Sequence, residues 1–475
     1  MQNREPDFLQ NLQHELSDGK AWLGRAIVMG YAALAGLAVV LFTIMSETAF
    51  EWFSHGFSNY PWVVLIWIPS LTAAIVWLTR RFAPSAAGSG IPQVMAALDP
   101  NLSDEHRSYF VSIKVTVAKM VLGAAGMLAG LSMGREGPSV QVAAGVMHDA
   151  RRWLRPGSAM NEHALLVAGG AAGIAAAFNA PLAGVVFAIE ELSRRMESRN
   201  SGLIIAAIVL AGLMGVSAFG NYAYFGSMAA PQIGLAALLP SVLVVVACGA
   251  VGGLFSRLLA ASLTGSPDRF NDWRARYPIR FAAGGGLAIA IIGLVSHGAT
   301  FGAGNEEVKA MLAGESDVSQ LYFLLKLLAT WITTWCGVPG GIFAPSLSIG
   351  AGIGHDIAQF TLGADQQLLM PALIAMGMAG FLAAVTQAPL TSFIIVMEML
   401  DGRPMVLSLM ASAMVASLIS RLISRPLYET LSEHMVAMVK GNSKSNSKSN
   451  SGNGNGNGNG NDEHIENQPE KSPRD

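Results

Sequence analysis

The chain has 475 residues, of which 52% are hydrophobic and 13% charged, and its net charge is −2. Soluble domains carry about 25% charged residues, so this composition excludes a soluble interaction module and predicts an integral membrane protein built from helices. The net charge indicates no particular partner, and we expect no nucleic acid among them.

The first elements predict both a span and its orientation. Residues 1–21 are polar, lack a signal-peptide pattern and are expected to stay in the cytoplasm. No charge occurs between Arg25 and Glu47, which is about the length needed to cross ~30 Å of hydrocarbon. The next apolar segment ends at Arg80 and Arg81, whereas the loop between the two segments has no Lys or Arg. This asymmetry places the N-terminus inside.

Three interruptions break the apolar segments, and each contains glycine and proline. Glycine permits unusual backbone angles and proline suits the first turn of a helix, so each interruption predicts a helix N-terminus inside the membrane. Such ends present unpaired N–H groups and a partial positive charge, and several aimed at one point form an anion site that needs no full positive charge. An ion held in this way can leave again. The interruptions are Gly88-Ser89-Gly90-Ile91-Pro92, Gly134-Arg135-Glu136-Gly137-Pro138 and Gly341-Ile342-Phe343-Ala344-Pro345.

The chain also contains an internal repeat. Pro138-Ser139 and Pro345-Ser346 are each followed by a glycine and then by His-Asp at the same spacing, and "NAPLAGVVFAIEEL" matches "QAPLTSFIIVMEML". The two matches share an offset of 207 to 208 residues. Interrupted segments at corresponding places in two halves are typical of transporters and mark the binding site. A duplicated bundle without a transport role is the alternative. We assign 22–217 to the first repeat and 218–438 to the second.

Several other residues receive structural interpretations. Cys248 and Cys336 are expected to be small core residues, and no metal site is predicted because His148 and His355 have no ligand partners at metal spacing. The two histidines are interpreted as C-terminal caps of their helices. Lys119 is a buried charge whose partner the sequence does not identify. Residues 439–475 form a polar tail, of low complexity from about Gly441, that is expected to be disordered.

The three interruptions, in this order, resemble the selectivity-filter motifs of the CLC family of chloride channels and chloride/proton antiporters. "FNAPLAGVVFAIEEL" and "RPLYETL" resemble family segments too, and the likeness extends over residues 22 to 435. It implies a CLC-type fold of tilted, broken helices in two inverted repeats. It also implies a homodimer with one pore per subunit, in a prokaryotic plasma (inner) membrane, with both termini cytoplasmic.

The resemblance further implies a chloride site. Chloride would be held by the hydroxyls of Ser89 and Tyr428 and by the backbone N–H groups of Ile342 and Phe343. An outer site would be lined by backbone N–H groups at the break around Arg135 to Gly137. From the residues alone, Ser89 reads as a helix cap and Tyr428 as an interfacial aromatic. Chloride is favoured, with bromide and nitrate as expected passengers; the ion is bound as substrate and no cofactor is expected.

Two glutamates predict coupling to protons. Glu136 lies at a helix N-terminus that attracts anions, so its ionised carboxylate can occupy the place of a chloride and its protonated form can release that place. The alternative is a simple pair with Arg135, although adjacent helix residues face different directions. By resemblance, Glu136 is the external gate and Glu191 the internal proton-transfer residue. Glu190 is expected to make structural pairs, as is Glu398 in the second repeat.

The predicted function is therefore a secondary active transporter that exchanges chloride for protons. A passive voltage- or pH-gated chloride channel of the same fold is the alternative, against which Glu191 argues. A membrane-embedded enzyme is disfavoured because the apolar segments contain no recognisable catalytic motif.

Overall fold

The computed structural model describes residues 19–154, 160–193, 201–220, 224–226, 237–265, 268–314, 319–363 and 368–451. Within these ranges the chain is helical, and its one β-bridge joins Gly134 to Gly341. The predicted cytoplasmic residues 1–18 lie outside the described part. In chain order the α-helices are α1 Gly19–Asn59, α2 Val64–Phe82, α3 Ile91–Ala97, α4 Asp104–Phe110, α5 Ile113–Leu128, α6 Glu136–Asp149, α7 Glu162–Ala177, α8 Pro181–Phe187, α9 Ser201–Phe219, α10 Leu238–Thr264, α11 Arg269–Arg276, α12 Pro278–Val295, α13 Asn305–Ala313, α14 Tyr322–Cys336, α15 Phe343–Thr361, α16 Met370–Thr386, α17 Pro389–Met399, α18 Val406–Arg421 and α19 Leu427–Ser451.

The long helices form the membrane-spanning part of the molecule. Among the described residues, seven helical segments are long and apolar enough to cross a bilayer. The uncharged stretch from Asn200 to Ser256 supplies most of two of them, in α9 and α10. The chain is thus an all-α, multi-pass membrane protein, as its composition predicted.

Shorter, almost completely buried helices fill the interior. α6, α7, α15 and α16 expose hardly any residue in their central turns, and small side chains let them approach closely. A Cβ at Gly173 of α7 would lie 2.7 Å from Cα of Val140 in α6. A Cβ at Gly350 of α15 would collide with the carbonyl oxygen of Gly377 in α16. These crossings place the N-termini of α6 and α15 in the middle of the protein.

The two halves are related as inverted repeats. Gly134 and Gly341, which are equivalent in the repeat, donate to each other's carbonyl oxygens at 2.8 Å in both directions. A reciprocal antiparallel pair between equivalent residues is what a two-fold axis between the halves requires.

A second reciprocal contact follows the same axis. The Glu398 carboxylate accepts from the N–H groups of Leu182 and Ala183 at the start of α8. The Glu190 carboxylate accepts from the N–H groups of Leu390 and Thr391 at the start of α17. Each glutamate therefore caps the equivalent helix of the other repeat, which is the kind of structural pairing expected for both residues.

One sequence expectation differs from the structure: α15 continues to Thr361, so His355 does not end its helix. The boundaries placed after residues 217 and 438 stay predictions. In the structure α9 ends at Phe219 and α19 continues to Ser451.

Candidate functional site

The three interruptions meet at one place. Backbone hydrogen bonds join Gly88 to Val338 and Gly340 at 3.0 and 3.1 Å, and the Gly134–Gly341 pair joins the second break to the third. Each break ends in a helix N-terminus, at Ile91, Glu136 and Phe343. The expected convergence of the three helix starts is therefore present within the protein.

The first break is shaped by glycine and closed by polar side chains. Gly90 has φ +107°, and a Cβ there would lie 2.7 Å from the carbonyl oxygen of Gly137. The Gln93 side chain accepts from Gly90 N at 2.9 Å and donates to the Ala87 carbonyl at 2.5 Å. Lys119 donates to the Gly88 carbonyl at 2.6 Å and to Ala86 at 2.8 Å, which supplies the partner that the sequence did not reveal. The lysine thus fixes the loop that presents Ser89.

Two buried hydroxyls face one another beside this loop. Ser89 and Tyr428 are neighbours, and neither hydroxyl makes a hydrogen bond to another described residue. The Tyr428 ring stacks on Phe343 with centroids 6.0 Å apart and planes at 7°. Buried donors without a protein partner are unfavourable unless something else accepts from them. These hydroxyls, next to the first residues of α15, form a pocket with the donors that an anion needs.

The Glu136 carboxylate lies inside the protein at the second break. Glu136 is 1% exposed, and its carboxylate lies against backbone N–H groups of Arg135, of Glu136 itself and of Ala344 in the second repeat. A Cβ at Gly134 would collide with its Oε2 atom, so the carboxylate occupies space that the glycine leaves open. The acid group is therefore placed between the N-termini of α6 and α15, where an anion would also be stabilised.

Arg135 does not pair with this carboxylate. Its Nη1 lies 2.7 Å from Oε1 of Glu47 in α1, and its Nη2 donates to the Tyr224 hydroxyl at 3.3 Å. No ion pair joins Arg135 to Glu136 in the described structure. The alternative interpretation of Glu136, as a simple partner of Arg135, is disfavoured by this geometry.

Two cavities approach the site and share no lining residue. The Glu136 cavity, about 940 Å³, is lined by Glu136, Arg135 and residues of α1 and α13. The Tyr428 cavity, about 340 Å³, is lined by Ser89, Tyr428 and Ile342 and reaches residues of α19. The Glu136 side chain therefore lines one cavity, and Ser89 and Tyr428 line the other.

Glu190 and Glu191 lie on a π-helical turn, Ala188–Leu192, that follows α8. Such turns are uncommon and often occur at functional sites. Glu190 faces α17, as described above, whereas Glu191 is half-buried and lies within electrostatic range of Tyr428. Glu136 lies within electrostatic range of the same tyrosine. The structure thus brings both glutamates near Tyr428.

Sequence reasoning did not identify several residues around the site. Lys326 donates to the carbonyls of Thr300 and Gly302 at 3.0 and 2.9 Å, as Lys119 does to the first break. It lies 207 residues after Lys119, so the repeat offset could have revealed it. Glu47 and Tyr224 give no such signal because their contact with Arg135 depends on the fold alone.

His148 also has a different role from the one expected. Its Nε2 lies 2.5 Å from Oε1 of Glu162, which is shared with Arg151 at 2.8 Å. The histidine thus binds the start of α7 rather than capping its own helix, where backbone groups close the end. Within the described ranges, no group of three or more His, Cys, Asp or Glu side chains could hold a metal ion.

Comparison with known proteins identifies the family of the chain. Residues 71–421 match the model of the family described as "Voltage gated chloride channel". The H(+)/Cl(−) exchange transporter ClcA of Vibrio vulnificus is 31% identical over 400 residues, covering 80% of this chain and 82% of the relative. The protein of the same name from Citrobacter koseri is 30% identical over 405 residues, with the same coverage of 80% and 82%.

Solved structures show the same architecture. A slow cyanobacterial Cl−/H+ antiporter superposes with a TM-score of 0.73 at 26% identity, covering 87% of this chain and 98% of that one. A CLC-type fluoride/proton antiporter has a TM-score of 0.69 at 21% identity and covers 90% of this chain and 99% of that one, which supports the fold alone. By its family match, its relatives and its architecture, the chain belongs to the voltage-gated chloride channel family, the CLC proteins.

Proposed function

We propose that the protein is a secondary active transporter that exchanges chloride for protons, with Glu136 as its gate. One observation carries the proposal: the Glu136 carboxylate lies between two helix N-termini, beyond which two buried hydroxyls without protein partners line a second cavity. The H(+)/Cl(−) exchange activity named for the bacterial relatives supports the same function.

Chloride would bind at the inner end of the Tyr428 cavity. The hydroxyls of Ser89 and Tyr428 and the backbone N–H groups of Ile342 and Phe343 would hold it, and the start of α15 adds a partial positive charge. Lys119 is engaged with backbone carbonyls, so it holds the loop rather than the ion. Donors without a full charge bind a halide weakly enough for transport.

Glu136 would couple the two substrates by competition for one place. When ionised, the carboxylate occupies the anion position between α6 and α15. When protonated, it loses the attraction of the two N-termini and moves into the Glu136 cavity, and chloride can take its position. Each exchange then moves a proton in the direction opposite to chloride.

Glu191 would pass the proton on at the other face. It is half-buried on the π-helical turn and, like Glu136, lies close enough to Tyr428 to act on it electrostatically. Protons would cross between the two glutamates along a transient file of water. With the N-terminus in the cytoplasm, the Glu136 cavity opens to the outside and Glu191 faces the inside.

The assembly and location follow as further proposals. Both repeats, both glutamates and both hydroxyls come from one chain, which supports a separate pore in each subunit of a homodimer. The charge asymmetry around α1 and α2 supports a plasma (inner) membrane location with both termini cytoplasmic. Mass measurement of the detergent-solubilised protein tests the dimer.

Reconstitution in liposomes tests the function. An imposed chloride gradient is expected to drive protons uphill, as recorded by a pH electrode outside the vesicles. Glu136→Ala should abolish proton movement while chloride still flows, and Glu191→Gln should leave uncoupled chloride flow. Glu398→Gln, a carboxylate change in the equivalent helix of the other repeat, is the matched control. Chloride flow without uphill proton movement in the unmodified protein would identify a passive channel and overturn the proposal.

A further inference from the structure

The Arg135 side chain makes a set of contacts outside the pocket that Ser89 and Tyr428 line. The residue is 5% exposed. Its guanidinium is paired with Glu47 at 2.7 Å and hydrogen-bonded to the Tyr224 hydroxyl at 3.3 Å. That hydroxyl also accepts from Nδ2 of Asn305 at 2.7 Å. Three separate segments therefore converge on the residue that precedes the gate.

We propose that Glu47, Tyr224 and Asn305 form a latch that holds the Arg135 charge away from the gate and so sets the pH at which Glu136 releases. The inference rests on the proposed function, because it takes Glu136 as the gate. In it Glu47 is a positioning residue that acts through Arg135 and touches neither chloride nor the transferred proton.

The physical basis is competition between two carboxylates for one guanidinium. Arg135 and Glu136 are adjacent in the chain, and Glu136 Oε2 makes no hydrogen bond to a described residue. The Glu47 carboxylate pairs with Arg135 and largely neutralises its charge. Without the negative charge of Glu47, Arg135 would favour the ionised form of Glu136, and the gate would protonate only at lower pH.

The latch joins the two repeats through elements on both sides of the cavity. Glu47 belongs to α1, whereas Asn305 is the first residue of α13 in the second repeat. The position of Tyr224 is held by its neighbour Phe225, which is buried and whose backbone N–H donates to the Met399 carbonyl at 3.0 Å. Tyr224, which lies between Arg135 and Asn305, thus helps to hold the Arg135 side chain in place.

Other titratable groups also line the Glu136 cavity. The pH effect of the latch must be separated from the effects of their titration. Among the described residues, Glu47 pairs with the Arg135 side chain and Tyr224 is hydrogen-bonded to it. The remaining charged or titratable side chains lining the Glu136 cavity are Glu51, His55, His297, Glu306, Glu307 and Lys309.

The test compares two carboxylates of one helix. Glu47→Gln removes the charge that pairs with Arg135, and Glu51→Gln removes a charge one turn further along α1 that lines the same cavity without contacting Arg135. Initial rates of chloride efflux from liposomes are measured over a pH series. Glu47→Gln is expected to move the profile by about 1 pH unit towards acid. Glu51→Gln should move it by no more than a few tenths of a unit. Both carboxylates are exposed, but of the two only Glu47 contacts Arg135, and water and salt screen a charge that acts from a distance.

Two further variants exclude a purely structural effect. Tyr224→Phe keeps the ion pair but removes the hydroxyl, so it should shift the profile in the same direction and by less than Glu47→Gln. Adding Glu47→Gln to Glu136→Gln should have no effect on the pH profile, because the group that Arg135 influences is gone.

The outcomes separate the latch from the gate. Equal shifts of the pH profile in Glu47→Gln and Glu51→Gln would assign the effect to the overall charge of the cavity and overturn the latch. The absence of a shift in a well-folded Glu47→Gln protein would overturn it too. If Glu47→Gln does not fold, an unshifted Tyr224→Phe profile overturns the latch. A normal pH profile in Glu136→Gln would instead show that the proposed gate is wrong.

Discussion

The reciprocal caps at α8 and α17 allow a matched pair of substitutions. Glu398 accepts from Leu182 N and Ala183 N at 3.2 and 2.7 Å, and Glu190 accepts from Leu390 N and Thr391 N at 3.0 and 2.7 Å. Glu398→Ala and Glu190→Ala therefore remove nearly identical interactions. The surroundings differ in one respect, since Glu190 alone is next to a predicted proton-transfer residue.

The expected loss of stability is the same for both variants. Each substitution leaves two N–H groups at a helix start without an acceptor, which costs about 1 kcal/mol for a typical cap and up to about 2 kcal/mol. The lost charge at a helix N-terminus adds about 0.3–1 kcal/mol. We therefore expect about 2 kcal/mol for each single variant. The double variant should lose less than the sum, because both caps hold the same pair of helices.

Thermal unfolding in detergent and proton transport in liposomes give the two readouts. The unfolding midpoints of Glu190→Ala and Glu398→Ala should fall equally, while proton coupling should fall only in Glu190→Ala, whose substitution loosens the π-helical turn of Glu191. Clearly unequal midpoints would show that the two caps are not equivalent. An equal loss of coupling in Glu398→Ala would show that helix docking, and not the position of Glu191, limits the proton path.

Two other substitutions test the pocket and its support. Gly137→Ala places a Cβ against the Ser89 hydroxyl, so halide affinity measured by calorimetry should fall at least tenfold. Gly202→Ala is the control, because its Cβ would meet no atom within 4 Å, and it should leave the halide affinity unchanged. Lys326→Met leaves buried carbonyls at Thr300 and Gly302 without a donor and should destabilise the protein by about 1–3 kcal/mol for each of the two. An unchanged unfolding midpoint would refute this structural role.

The sequence predicts the main architecture well because its signals are local or repeated. Glycine and proline at a break act on the backbone of their own segment, so the helix starts at Ile91, Glu136 and Phe343 follow from composition. The repeat adds long-range information, since equivalent segments must take equivalent places. This is why the convergence of the breaks could be predicted without a structure.

The rest depends on contacts that no local pattern encodes. Glu47 is separated from Arg135 by the end of α1 and by four complete helices, α2 to α5, and nothing in either segment indicates the pair. The repeat also gave a wrong prediction for the helix end at His355, because the equivalent helices differ in length. α6 ends at Asp149, whereas α15 continues past His355 to Thr361. The π-helical turn of Glu191 was not predicted, since one extra residue per turn leaves the apolar pattern almost unchanged.

Comparison of the two halves separates structural from functional residues. Positions that hold the fold keep their residue type at the repeat offset: Lys119 and Lys326, Gly134 and Gly341, Glu190 and Glu398.

The two proposed proton carriers, Glu136 and Glu191, do not keep their residue type at the repeat offset. The position equivalent to Glu136 is Phe343, and the position equivalent to Glu191 is Met399. Both helix starts offer N–H groups and a partial positive charge to the same place, but only one bears an acid that can compete with the ion, while the other bears a ring that stacks on Tyr428. A symmetric scaffold alone would stabilise an anion from two sides without coupling it to anything. In the proposed mechanism, coupling to protons therefore depends on the two acids that only the first half carries.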